Sequence, residues 1–246
     1  MQSLAVRERM GDPEWIAVAL GALAELALRG DDLHRARAYC RTSLEYAKRA
    51  EAAHQQAWVI NLRGAMNQAD GEFDSAEADL VASLALLRQL DDRPCTARAL
   101  IRLSQLRRAQ GDHRAALVLA QEGLALASDG AEMMSGIECL EQIASVLTEF
   151  NEHLAAVTLF ACTSRLRTDL EVPLPPRSRA TCTRDLATAC SGVGDAHVAA
   201  GVAGMDLSLA DARRSAAAWT AKVLALHPDP DGELTRGSST SATSTG

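Results

Sequence analysis

Arginine residues that could bind an anion are concentrated in one short stretch of the sequence. They lie at positions 98, 102, 107 and 108, in a chain whose formal net charge is -7. A guanidinium group offers a fork of N–H donors that can hold a carboxylate or a phosphate through paired hydrogen bonds. This local positive charge in an otherwise acidic chain indicates where a partner binds. The candidate binding residues are Trp58, Asn61, Gln68, Arg98, Arg102, Gln105 and Arg108.

Three of these side chains favour a peptide as the ligand. The amides of Asn61 and Gln68 could hydrogen-bond an extended backbone. Trp58 is one of only three tryptophans, and an exposed tryptophan is a common binding anchor. The alternative for Trp58 is that its ring fills the core.

Motifs for catalysis or for a bound cofactor are missing from the sequence. Gly192-Val193-Gly194 lacks the third glycine and the lysine of a nucleotide-binding loop. No His-Glu-x-x-His, Gly-x-Ser-x-Gly or Ser-x-x-Lys pattern occurs. A lone serine or cysteine without a paired base does not indicate a nucleophile. We therefore expect no catalytic residues and no cofactor.

Composition favours an all-α protein. The 246 residues are 48% hydrophobic but only 3% aromatic, whereas strands prefer aromatic and β-branched side chains. The acidic balance argues against a nucleic-acid surface, which needs clustered cations. The apolar segment 15–28 is too short to span a membrane, and the acidic residues before and within it are unlike a signal peptide. We expect a cytoplasmic protein.

A period of 40 residues organises the chain. Alanine recurs at positions 36, 76, 116 and 156, and a fainter fifth copy ends at 196. Apolar residues within each copy step by three or four, which indicates helices. Neither helix of a pair can bury its apolar stripe alone, so the pairs must stack into a solenoid. Two further positions also recur with this spacing, one apolar (Leu20, Ile60, Leu100, Leu140) and one small (Ala24, Gly64, Ser104, Ala144).

The turn between the two helices of each repeat has its own signature. Gly71, Gly111 and Asn151 lie where a tight turn needs a left-handed residue, which glycine and asparagine tolerate. His113 and His153 follow two residues later, in the position that holds Leu33 and Phe73 in the earlier copies. We expect both imidazole rings to pack in the contact between helices rather than to act as ligands or bases.

Cysteine and histidine spacing does not predict a metal site. Cys182, Cys190 and His197 are separated by eight and seven residues, whereas zinc ligands commonly lie about two to four residues apart. The glycines at 192 and 194 are also expected to break that helix. No two of the six cysteines form a Cys-x-x-Cys pair, so we expect free thiols in a reducing compartment.

The repeat resembles the tetratricopeptide repeat. The residues that carry the resemblance are Leu20 and Ala24, the turn at 31–33, Ala36 and their equivalents in later copies. The usual repeat is about 34 residues long, and this one is longer. The resemblance implies a right-handed superhelical solenoid of about five helix pairs whose first helices line a concave, peptide-binding groove. The predicted boundaries are 13–50, 52–90, 94–129, 131–170 and 176–204 for the repeats, 207–226 for a capping helix and 227–246 for a disordered tail.

The resemblance also suggests how the groove would bind a ligand. Tetratricopeptide grooves that hold the C-terminal carboxylate of a peptide use paired basic residues in one repeat, and Arg98 and Arg102 stand in those two positions. The sequence departs from the pattern at Glu25, where an asparagine is expected. The alternative is that Glu138 and Glu141 of the next repeat pair with these arginines and leave no free anion site.

The two ends of the chain resemble parts of larger proteins. Residues 2–10 look like the second helix of a repeat whose first helix is missing, which we interpret as a cut from a longer protein, with a lone capping helix as the alternative. Residues 155–210, with the turn Leu174-Pro175-Pro176, resemble the C-terminal end of actinobacterial LuxR-type regulators and related signalling ATPases. This resemblance implies the sensor part of a regulator.

Three functional hypotheses follow from the sequence. The first is a recognition module that binds a protein segment or peptide in the groove, without direct contact to nucleic acid or membrane. The second is a sensor for a small acidic effector, with Trp58 as a stacking surface. The third is an enzyme whose pocket is built from single residues of different repeats. A homodimer is compatible with each of them.

Overall fold

The computed structural model describes residues 12–127 and 133–228, and over these residues it consists of helices and the turns that join them. The residues of the predicted helix at 2–10, and all but the first two of the predicted tail, lie outside this described part. Among the described helices, none combines the length and the apolar character needed to cross a membrane. The α-helices are α1 (Pro13–Arg29), α2 (Leu33–Arg49), α3 (Ala53–Ala69), α4 (Phe73–Gln89), α5 (Arg93–Ala109), α6 (His113–Leu126), α7 (Met133–Glu149), α8 (His153–Asp169), α9 (Pro176–Val193), α10 (His197–Met205) and α11 (Leu209–Leu226).

Consecutive helices pack in pairs, as the 40-residue period predicts. Helix α1 packs on α2, α3 on α4, α5 on α6 and α7 on α8, and each pair packs on the next. The first helices of neighbouring pairs, α1, α3, α5 and α7, also contact one another in succession. The prediction of an all-α solenoid of tetratricopeptide type is therefore confirmed.

The turn inside each pair takes the predicted left-handed conformation. The backbone φ is 80° at Gly71, 84° at Gly111 and 60° at Asn151. At the first of these turns, the N–H of Gly71 donates to the carbonyl of Gln68 and the N–H of Glu72 donates to that of Asn67. This is the Schellman arrangement, which satisfies carbonyls at the end of the first helix. The chain can therefore reverse within three residues at the same point of every repeat.

Small residues allow the two helices of a pair to approach closely. A Cβ placed on Gly64 would lie 2.8 Å from Cγ of Leu80, so even an alanine would crowd the contact between α3 and α4. Ser104 fills the equivalent position in the next pair and donates from its hydroxyl to the carbonyl of Ala116 at 2.6 Å. Large apolar side chains fill the remaining space, among them the fully buried Leu62, Leu80, Leu100, Leu106 and Leu140.

The C-terminal helices depart from the regular stacking. Helix α9 packs on α7 and α8 and also reaches α1, while α10 packs on α8. Helix α11 lies across α6, α7 and α8. Helix α9 continues through Gly192 and ends at Val193, because the next residue, Gly194, has a φ of 63°. Of the two predicted helix-breaking glycines, only Gly194 ends the helix. Because α9 contacts α1, the last helices close the superhelix against its first repeat.

Replacing Gly204 with alanine should destabilise the C-terminal part of the fold. A Cβ at this position would lie 2.2 Å from the carbonyl oxygen of Thr158, a backbone atom of α8 that cannot turn away. We expect the free energy of unfolding to fall by about 1–3 kcal/mol, the usual cost of overpacking. Chemical denaturation followed by circular dichroism measures this change.

Gly201 provides the matched control on the same helix. Nothing lies within 4 Å of a Cβ built there. Alanine should therefore be neutral or should stabilise α10 by up to about 1 kcal/mol through its better helix propensity. Equal stability of the Gly204→Ala and Gly201→Ala variants would show that α10 does not pack on α8 as described.

Candidate functional site

A cavity of about 640 Å³ lies inside the superhelix, between α1, α5, α7 and α9. Its lining includes seven arginines and five carboxylates. Five of the seven predicted site residues lie on this lining: Gln68, Arg98, Arg102, Gln105 and Arg108. The cavity wall is therefore strongly charged.

Arg98 and Arg102 share one ion-pair partner, the carboxylate of Glu25. Arg98 Nη1 is 3.5 Å and Arg102 Nη2 is 3.6 Å from Glu25 Oε1. Burial disfavours the charge of Arg98, but the Glu25 carboxylate and its other neighbours outweigh it and raise the pKa of Arg98. Burial is the stronger influence at Arg102 and lowers its pKa. One carboxylate is thus shared between two guanidinium groups.

The alternative in which Arg98 and Arg102 pair with Glu138 and Glu141 is wrong, because these two glutamates bind other arginines. Glu138 instead pairs with Arg29 at 3.4 Å, and Glu141 accepts two hydrogen bonds from Arg167 at 2.6 and 2.9 Å. Both glutamates line the cavity, and Glu138 acts on Arg98 only at longer range. The acid that pairs with both arginines comes from α1, in the first repeat, whereas the arginines lie on α5, in the third.

Asn61 supports Arg102 rather than facing the cavity. It is only 2% exposed, and its Oδ1 accepts a hydrogen bond from Arg102 Nη1. Its Nδ2 is buried and has no hydrogen-bond partner. Asn61 therefore contributes to the site by fixing one side of the Arg102 guanidinium.

Trp58 packs between the first two repeats. A Cβ on Gly21 would lie 2.7 Å from Cζ3 of Trp58, so the indole ring lies directly on the bare backbone of α1. The ring nitrogen is buried and has no hydrogen-bond partner. Trp58 borders a small crevice with Asn61, Arg98 and Arg102, behind the cavity wall. This placement corresponds to the alternative in which the ring fills space in the core.

Arg108 is held more firmly than Arg98 and Arg102. Its guanidinium pairs with Glu149 at 2.6 Å and with Asp185 at 2.8 Å. Although burial opposes its charge, the contacts with Asp185 and Glu149 raise the pKa of Arg108. Gln68 and Gln105 carry their amides on the same lining. Arg108 thus ties α5 to α9 and is already neutralised by two acids.

Ion pairs between distant parts of the chain border the cavity. Arg177, near the start of α9, pairs with Asp31 at 3.0 Å, and Arg29 of α1 reaches Glu138 of α7. These residues are separated by 146 and 109 positions in the sequence. The chamber is therefore bounded by the first and the last helices of the array as well as by its middle.

The histidines that the period singles out pack between helices. His153 lies against Gly192, whose Cβ would be 2.1 Å from Cδ2 of the ring. His113 makes an edge-to-face contact with Phe150, with ring centroids 6.3 Å apart. Cys182, Cys190 and His197 do not converge on one point in the described part of the chain.

One segment of the chain matches a known protein family. Residues 55–129, which run from the first turn of α3 past the end of α6, match the family described as tetratricopeptide repeat. A search of curated proteins returns no match. Repeats of this family generally mediate contacts between proteins, and their all-helical fold is typically non-enzymatic. Helix pairs continue to stack on both sides of the matched segment. Together with this stacking, the match supports the interpretation of the chain as a tetratricopeptide-repeat protein.

Proposed function

We propose that the chain is a non-catalytic recognition module that binds an acidic protein segment, or the carboxylate end of a peptide, in the central cavity. The observation that carries the proposal is the sharing of Glu25 by Arg98 and Arg102 at 3.5 and 3.6 Å. Charge-assisted hydrogen bonds are usually about 2.7–2.9 Å long. A ligand carboxylate could therefore engage donors that Glu25 leaves unused.

The charge of the cavity wall favours an anionic ligand. Seven arginines and five carboxylates line it. Arg108 and Arg167 are each held by carboxylates at 2.6–2.9 Å, and these ion pairs stabilise the fold rather than offer a binding site. The deficit of negative charge is concentrated at Arg98 and Arg102, which share a single acid. These are the two positions at which the tetratricopeptide resemblance implies a carboxylate contact.

The amides on the same wall favour a peptide over a simple ion. Gln68 and Gln105 offer donors and acceptors that match the N–H and C=O groups of an extended backbone. Asn61 fixes Arg102 from behind, so the guanidinium is oriented before a ligand arrives. Such preorganisation lowers the entropy cost of binding.

A second candidate is a small acidic effector, because contacts between the first and last helices border the cavity and narrow it. A volume of about 640 Å³ lies within the range of small-molecule sites, about 300–1,000 Å³. The pairs Arg177–Asp31 and Arg29–Glu138 would restrict how far a longer segment extends through the chamber. In this case the same two arginines would bind the acid group.

We further propose that this recognition serves a transcriptional regulator or a signalling ATPase in the cytoplasm. The support is the resemblance of residues 155–210, including Leu174-Pro175-Pro176, to the C-terminal sensor part of such proteins. In the structure these residues form α8 to α10, and α9 contributes Arg177 and Cys182 to the cavity wall. A ligand in the cavity would thus contact the segment that carries this resemblance.

Replacing Glu25 with glutamine should strengthen binding of an anionic ligand. The carboxylate of Glu25 competes with the ligand for Arg98 and Arg102, and its removal should raise affinity by about tenfold, or about 1.4 kcal/mol. The probe is a pool of fluorescent acidic heptapeptides with free C-terminal carboxylates, measured by anisotropy. A pool with amidated ends tests the terminal carboxylate, and citrate serves as the small-acid probe.

The control for this variant is Glu122→Gln, which removes an exposed acid that pairs with Arg88 on α4, outside the cavity. Its affinity for the peptide pool should equal that of the wild type. Tighter binding of citrate together with no binding of either peptide pool would select the effector instead of the peptide. An unchanged or weaker affinity of Glu25→Gln for every probe would contradict the cavity as the binding site.

A further inference from the structure

Three potential metal ligands converge outside the central cavity, at the junction of two repeats. His54 lies in the first turn of α3, Asp92 caps the N-terminus of α5 and Cys95 lies in the first turn of α5. One ligand atom from each residue lies within 4.8 Å of the other two. Within residues 12–127 and 133–228, no other group of three such side chains meets this distance.

The orientation of these side chains is that of a coordination site rather than a catalytic relay. Both Oδ2 of Asp92 and Sγ of Cys95 approach the same nitrogen, Nε2 of His54, with the sulfur at 3.8 Å. A cysteine nucleophile activated by histidine and aspartate would instead use the two ring nitrogens separately. The nitrogen, the oxygen and the sulfur can therefore act as three metal ligands around one cation, which would replace the protons that now lie between them.

The separation between the sulfur and the nitrogen agrees with tetrahedral zinc. Zn–S bonds of about 2.3 Å and Zn–N bonds of about 2.0–2.1 Å at a tetrahedral angle place the two ligand atoms about 3.6 Å apart. The separation between Cys95 Sγ and His54 Nε2 is 3.8 Å, so these two atoms need little movement. Asp92 Oδ2, which is in direct hydrogen-bond contact with Nε2, would draw back to admit the ion. The other oxygen of Asp92 accepts the backbone N–H of Cys95 at 2.9 Å, which fixes the carboxylate with Oδ2 toward the histidine.

We propose that His54, Asp92 and Cys95 bind one Zn²⁺ ion, with the fourth position open to solvent. The ligand set of imidazole nitrogen, carboxylate oxygen and thiolate sulfur is one that zinc accepts. An ionised Asp92 and a Cys95 thiolate would neutralise the two positive charges of the metal. The site joins the first helices of two neighbouring repeats, and none of its three ligands belongs to the proposed peptide site.

The surroundings supply the outer contacts that such a site needs. Arg98 Nη2 donates to Cys95 Sγ at 3.4 Å, and this contact would strengthen when the sulfur becomes a thiolate. Burial raises the pKa of the Cys95 thiol, so the metal must displace its proton on binding. His54 is exposed over 43% of its side chain, which leaves a path for the ion to enter.

Titration of the untagged chain with Co²⁺ tests the site. We expect one equivalent to produce thiolate-to-cobalt charge-transfer absorption and the visible bands of a four-coordinate ion, and Zn²⁺ to displace it. Cys95→Ser should abolish the charge-transfer band. His54→Gln should weaken binding by at least about tenfold, since even loss of an outer-shell contact costs about 10–100-fold. His54 is half-exposed, so this variant should keep its fold, which circular dichroism verifies.

The matched control is Cys190→Ser, which removes a half-exposed thiol of α9 that lies outside the cluster. Its cobalt spectrum should equal that of the wild type. The proposal is overturned by a wild-type chain without a thiolate–cobalt band. It is equally overturned by a band that survives Cys95→Ser, that is lost in Cys190→Ser, or that His54→Gln leaves at full affinity.

Discussion

Replacing Glu141 with alanine is expected to lower the free energy of unfolding by about 3–5 kcal/mol. Glu141 and Arg167 form a bidentate pair at 2.6 and 2.9 Å, and their side chains are only 10% and 5% exposed. Burial raises the pKa of Glu141, an effect that the hydrogen bonds from Arg167 oppose. Without the glutamate, the arginine charge stays buried between α7 and α8 without its partner. Denaturant unfolding measures the loss.

A second bidentate pair in the same chain serves as the control. Arg107 binds Glu77 at 2.6 and 2.9 Å, a geometry close to that of the buried pair, but the side chains are 27% and 35% exposed. Because water solvates the arginine when its partner is removed, Glu77→Ala should cost only about 0–1 kcal/mol.

Replacing both partners of the buried pair separates a lost attraction from an unpaired charge. A Glu141→Leu/Arg167→Met variant removes both charges, and such replacements are often neutral or stabilising. We therefore expect it to recover most of the stability that Glu141→Ala loses. Equal losses for Glu141→Ala and Glu77→Ala would contradict the packing of α7 against α8 described above.

Replacing both Arg98 and Arg102 with alanine is expected to reduce affinity for the acidic peptide pool by at least about 100-fold. Each hydrogen bond to a charged group contributes about 1.5–3 kcal/mol, so losing one from each arginine removes about 3 kcal/mol or more. At about 1.4 kcal/mol per factor of ten, this exceeds 100-fold. Anisotropy titration at fixed salt measures the change.

The effect of this double replacement on Glu25 must be controlled, because the variant leaves that carboxylate without the two arginines. A triple variant with Glu25→Gln removes the unpaired acid and should bind as weakly as the double variant. Arg88→Ala, which removes an exposed arginine paired with Glu122 on the outside of the array, should bind like the wild type. A similar loss in Arg88→Ala would indicate non-specific attraction between charges.

Much of the scaffold could be predicted from the sequence because its elements interact with near neighbours in the chain. The turn residues, the small residues at 64 and 104 and the helix pairs all follow from a local 40-residue register. Buried hydroxyl groups also recur with this register. Ser43 and Ser83 each donate at 2.7 Å to a carbonyl 26 positions earlier.

Side-chain contacts between neighbouring first helices also carry a signal that sequence analysis missed. The residues in contact are separated in the sequence by about the length of one repeat. Arg102 contacts Asn61 and Arg108 contacts Glu149, in both cases across 41 positions. The proposed metal ligand His54 lies 38 positions from Asp92 and 41 from Cys95. Searching for pairs of polar residues at about this spacing would have found all four contacts.

Contacts that span two or more repeats could not be predicted in this way. Glu25 reaches Arg98 across 73 positions, and Arg177 reaches Asp31 across 146. Both depend on how far the superhelix curves, which is the sum of small rotations at every pair. The choice between the two placements considered for Trp58 could not be made from the sequence either, because it depends on the missing side chain of Gly21 on the neighbouring helix.

The central claim is that Glu25, Arg98 and Arg102 form one anion-binding site in the cavity, with the acid competing against the ligand. Titration of the same acidic peptide pool into Glu25→Gln and into Arg98→Ala/Arg102→Ala tests it most directly. The claim predicts changes of opposite sign, with tighter binding to the first variant and much weaker binding to the second. Changes of the same sign, or no change in either variant, would contradict it.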